Sequence, residues 1–99
     1  MHFNPNFKQV KLVNGKLVIT GVTNPKGKKG AGTVVGVSCL VYKDDQWAGG
    51  DYKAKPGQDW TFKIDAEGKI KSGKVWCVGV LMLEEGEPVM WRQQLTIVK

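Results

Sequence analysis

Apolar and polar residues alternate with a period of two through most of the chain. The pattern is cleanest in "DWTFKID" (59–65), where Trp60, Phe62 and Ile64 share one face and Asp59, Thr61, Lys63 and Asp65 the other. That is the pattern of a half-buried strand, with Trp60 and Phe62 inaccessible and Thr61 and Lys63 exposed. In "PVMWRQQLTIV" (88–98), Val89, Trp91, Leu95 and Ile97 face inward and Met90, Arg92, Gln94 and Thr96 outward. Gln93 interrupts the inward face, which predicts a bulge nearby. "TVVGVSCLVY" (33–42) is rich in β-branched residues and reads as a buried strand, with Val35, Val37, Cys39 and Val41 inward. "VWCVGVLML" (75–83) is apolar on both faces and reads as central.

"VKLVNGKLVI" (10–19) is nearly symmetric about Asn14-Gly15. Asn-Gly tolerates positive φ at both central positions of a type I′ turn. The predicted hairpin pairs Val13 with Lys16, Leu12 with Leu17 and Val10 with Ile19; the alternative is a kink between strands that pair elsewhere. "TNPKGKKGAGT" (23–33), "KDDQWAGG" (43–50), "KPGQ" (55–58) and "EEGE" (84–87) are turn or loop signals, and "DYKAK" reads as a short exposed strand. No segment carries a helical stripe. About seven short strands predict a single all-β domain over residues 1–99, an antiparallel β-sandwich or small barrel.

Composition adds two constraints. The 99 residues suffice for one hydrophobic core, and no apolar run approaches the length of a membrane span. The opening "MHFNPNFKQV" has no apolar core or small-residue cleavage site, so it does not read as a signal peptide. Net charge is +6, which favours polyanions, but Arg92 is the single arginine among 15 basic residues. One guanidinium cannot build the forks that read phosphates and base edges. Weak, sequence-blind contact with nucleic acid is the expected limit.

"LVITGVTN", "VSCLVYKDD" and "KPGQDWTFKID" together resemble the bacterial immunoglobulin-like modules of cell-surface and secreted proteins. Gly21, Val22 and Asn24 match the first strand-to-loop piece, Tyr42 and Asp44 the second, and Pro56, Gly57, Trp60 and Phe62 the third. The resemblance implies an immunoglobulin-like sandwich in a bacterial extracytoplasmic protein, used for spacing, adhesion or ligand presentation. The antibody-type Cys–Trp–Cys arrangement is absent, because no Trp follows Cys39 closely. The family carries no common catalytic residues.

Candidate chemistry is sparse, and no enzyme or cofactor is expected. "GKKGAGT" (27–33) lacks the Gly-Lys-Ser/Thr ending of a phosphate loop and precedes a strand rather than a helix. His2 is the single histidine, and two Cys without it cannot complete a zinc site. Asp44, Asp45 and Asp51 lack the alternation of a calcium loop, and Glu84, Glu85 and Glu87 read as a solvated turn. Cys39 and Cys77 fall in central strands, where they either cross-link the sheets or remain free thiols; free thiols are the expectation.

Three functional readings follow. The first is a non-catalytic structural or binding module with a protein or glycan partner. The second is a carbohydrate-binding module in which Trp47 and Tyr52 flank "AGG" at a hairpin tip beside Asp44, Asp45 and Asp51, the rings packing on sugar C–H faces. Against it stands a structural role for Trp47 as a cap on the end of the core, which is the expectation. The third is a basic nucleic-acid-binding barrel with Lys26, Lys28, Lys29 and the Lys69, Lys71 and Lys74 group along a groove.

Overall fold

The computed structural model describes residues 3–25 and 33–99. Seven strands follow in order: β1 (Asn6–Val13), β2 (Lys16–Val22), β3 (Val34–Lys43), β4 (Gln46–Ala54), β5 (Asp59–Asp65), β6 (Lys74–Leu83) and β7 (Val89–Val98). They form one sheet in the order β4-β3-β6-β7-β1-β2-β5. The edge strands β4 and β5 return to each other's neighbourhood, so the sheet nearly closes into a barrel.

The sheet is mixed rather than antiparallel. Two antiparallel groups, β1-β2-β5 and β4-β3-β6-β7, meet where β1 runs parallel to β7 at Val10–Ile97 and Lys11–Val98. β1 and β7 lie far apart in sequence, so no hairpin turn dictates that they run in opposite directions.

The Asn14-Gly15 hairpin forms in the expected register, with Val13–Lys16, Leu12–Leu17 and Val10–Ile19 paired. Asn14 (φ 50°) and Gly15 (φ 79°) occupy the left-handed region that the turn demands. The turn expected over 43–50 is confined to two residues. Asp44 (φ 50°) and Asp45 (φ 65°) adopt the same conformation, so β4 resumes at Gln46 and residues 46–50 are strand, not turn. Aspartate tolerates this region because its short side chain can bond locally.

The core fills the space between the two groups. Phe7, Val10, Leu17, Ile19, Val37, Cys39, Val41, Phe62, Val75, Cys77 and Leu81 are all but inaccessible. Trp60 and Phe62 are buried and Lys63 exposed as expected, with Thr61 half-buried. Trp60 pairs directly with Gly21, and Trp91 with Gly79. Each indole lies flat over its glycine, where any Cβ would collide with the ring. Phe7 forms a three-ring cluster with the indoles, stacked on Trp91 at 4.9 Å and edge-on to Trp60 at 5.6 Å, while the indoles lie 6.2 Å from each other.

Two local expectations are corrected, and one is met. Val35 is exposed rather than inward, because the register of β3 shifts between Val34 and Gly36. Pairing of β6 with β7 runs without a bulge past Gln93. Instead the Gln93 amide bonds β1 at Phe7, where β1 is itself irregular: its Nε2 donates to the Phe7 carbonyl (3.1 Å), and its Oε1 accepts from the Phe7 N–H (2.6 Å) and the Trp91 indole (2.9 Å). Of the two alternatives for the cysteines, the expected free thiols hold, on the neighbouring strands β3 and β6. Both are buried, unbridged thiols.

Candidate functional site

The residues suggested by sequence do not form one site. Trp47 is 61% exposed and Tyr52 51%, and both stand on β4, not at a hairpin tip. The Tyr52 ring lies across Gly36. Trp47 borders a different depression, with Lys43, Asp44, Lys69 and Ile70. An indole so exposed does not cap the core. Asp45 lines a third depression, and the Asp51 carboxylate accepts the Tyr52 backbone N–H at 2.8 Å. Asp51 pairs with Cys39 and so lies on the inner side of edge strand β4. Lys53 does too, its ammonium 5.9 Å from the Phe62 ring centre. Inward charges on an edge strand discourage pairing with foreign strands.

Lys26, Lys28, Lys29 and His2 lie outside the described residues. Lys69, Lys71 and Lys74 are exposed, and Lys69 stands 3.9 Å from Glu67 in a solvent-accessible pair. Among the described residues, no three potential metal-ligating side chains cluster, and no helix is long and apolar enough to cross a membrane.

The two buried thiols define a chemical state. The Cys39 thiol hydrogen-bonds with that of Cys77 and is desolvated, and the potential charges of Cys77 and Asp51 act in the same direction. Together these push the Cys39 thiol far above its ordinary range. A thiol held protonated in the core is a poor nucleophile.

A more coherent surface lies on the outer side of β4-β3-β6-β7. Registry places three rows across β3, β6 and β7: Ser38, Val80 and Met90; Leu40, Val78 and Arg92; Tyr42, Trp76 and Gln94. None of these nine positions is a lysine or a carboxylate, in a chain with 15 basic and 9 acidic residues. On the outer side of β2 and β5, by contrast, the paired rows include Lys16 with Asp65 and Val18 with Lys63. Met90 is 68% exposed and Trp76 37%. The Arg92 guanidinium carbon lies 5.0 Å from the Trp76 ring centre, a cation–π stack. Tyr42, Asp45, Trp76, Val78 and Arg92 enclose a depression of about 440 Å³. Among the described residues Arg92 has no ion-pair partner.

Sequence reasoning missed this surface, although its signal was present. "VWCVGVLML" is apolar on both faces, and only its inner face, with Val75, Cys77 and Leu81, is buried. No protein-family model matches the chain, and no curated protein matches it in sequence.

Proposed function

We propose that the chain is a non-catalytic binding module on an immunoglobulin-like sandwich, engaging its partner through the outer side of β3, β6 and β7. The strand grouping supports the sandwich. First, second and fifth strands lie in one group and third, sixth and seventh in the other, as in immunoglobulin domains. Here the fourth joins the third. The proposed setting, a bacterial extracytoplasmic protein, rests on the sequence resemblance alone.

One observation carries the binding surface: nine outward positions free of lysine and carboxylate, centred on the Trp76–Arg92 stack. Tryptophan, tyrosine, methionine and arginine are enriched at protein interfaces, and lysine and glutamate depleted. Binding energy concentrates on aromatic and arginine anchors in pockets. Trp47 and Tyr52 support the carbohydrate alternative less well, because they border separate features.

The surface can be tested without knowing the partner. Small organic probes such as isopropanol and phenol are titrated into labelled protein while amide and indole NMR shifts are followed. Shifts should concentrate at Tyr42, Trp76, Val78 and Arg92. Probes that cluster at Trp47, or scatter evenly, would refute the assignment.

A further inference from the structure

Resting on that reading, we infer that the partner is an acidic protein segment presenting an Asp or Glu carboxylate to Arg92, with an adjoining apolar side chain in the Tyr42–Val78 depression. The chain's single guanidinium is oriented by Trp76 and has no ion-pair partner among the described residues. A planar fork held in place and left open matches a carboxylate in two-point contact. Asp45 borders the same depression but lies outside ion-pair distance of Arg92, so it limits entry on one side without occupying the fork.

The surroundings favour a protein segment with an apolar side chain: Leu40, Val78, Val80 and Met90 flank Arg92 with aliphatic surface that packs such a side chain. Net charge of +6 favours an acidic partner and works against a second copy of this chain.

The test is selection of random dodecapeptides displayed on phage against the wild-type protein, with R92Q and W76A in parallel. Folding of each is verified by its amide spectrum. R92Q alters an exposed side chain and carries the comparison alone if W76A does not fold. Selected peptides should be enriched in Asp or Glu next to a bulky apolar residue. Their affinity should fall about tenfold or more in R92Q and weaken as salt rises. Peptides that need Trp76 but show no acidic bias would leave the binding surface standing and overturn the acidic partner. Absence of any peptide sensitive to Trp76 or Arg92 would overturn both. Sedimentation showing a dimer lost in W76A would assign the surface to a second copy. Tighter binding of a polyuronate oligosaccharide would assign it to a glycan. Either result overturns the inference.

Discussion

Replacing Gln93 with Leu keeps roughly the volume of the side chain and removes its polar end. Three groups then lose their partner: the Phe7 N–H, the Phe7 carbonyl and the Trp91 indole N–H. Phe7 is 1% exposed and packed against two indoles, so water reaches it poorly. An unsatisfied buried donor or acceptor costs about 1–3 kcal/mol. Trp91 is only partly buried and can recruit water, which discounts its share. The expected loss is therefore about 2–4 kcal/mol, a large fraction of a small domain's stability.

The location of the damage is as diagnostic as its size. Direct pairing of β1 with β7 is confined to Val10–Ile97 and Lys11–Val98, so Gln93 is what ties the first half of β1 to β7. Urea unfolding should report the lost stability, and native-state hydrogen exchange should report the Phe7 amide losing protection well before those of β3 and β6. A Q93L protein within about 0.5 kcal/mol of wild type, with the Phe7 amide still protected, would refute the argument.

Trp60→Ala should cost about 3–5 kcal/mol by urea unfolding, since it empties the core and strips the Thr23 hydroxyl of its indole donor at 3.1 Å. Trp47→Ala should change stability by less than about 0.5 kcal/mol, because that ring is 61% exposed; a larger loss would restore the core-cap role. The fold favours the protonated form of Cys39, so the stability this group contributes is whole below its unfolded value of 9.0 and falls as pH rises above it. The slope is about 1.4 kcal/mol per pH unit for one thiol. Urea unfolding from pH 8 to 10.5 should decline more steeply for wild type than for C39A, and equal slopes would overturn the thiol argument.

What the sequence disclosed divides along physical lines. Where one face meets the core and the other meets water, the pattern states the answer, as in "DWTFKID" and about the Asn14-Gly15 turn. Both are local: the period lies within one strand, and the turn depends on two residues. The Asp44-Asp45 turn lies within the segment read as a turn, but its two-residue length was not apparent, because aspartate enters the left-handed region less freely than glycine and its presence there is set by the strands it joins. The parallel seam of β1 and β7, and the amide of Gln93 that spans it, depend on residues some 86 positions apart. No window of sequence contains that information.

The outer surface is the more instructive failure. A strand apolar on both faces is ordinarily read as covered on both sides, which is how "VWCVGVLML" first reads. The seven strands supply only two groups, and the core between them uses only the inner face of each. Trp76, Val78 and Val80 therefore have no layer of this chain to cover them. In one sheet curled around one core, a strand apolar on both faces leaves its outer face uncovered, and an apparent core signal then becomes a candidate interface signal. Arg92, stacked on Trp76, is the one charge among the nine positions. On the proposed reading, that is where a partner's carboxylate would be read.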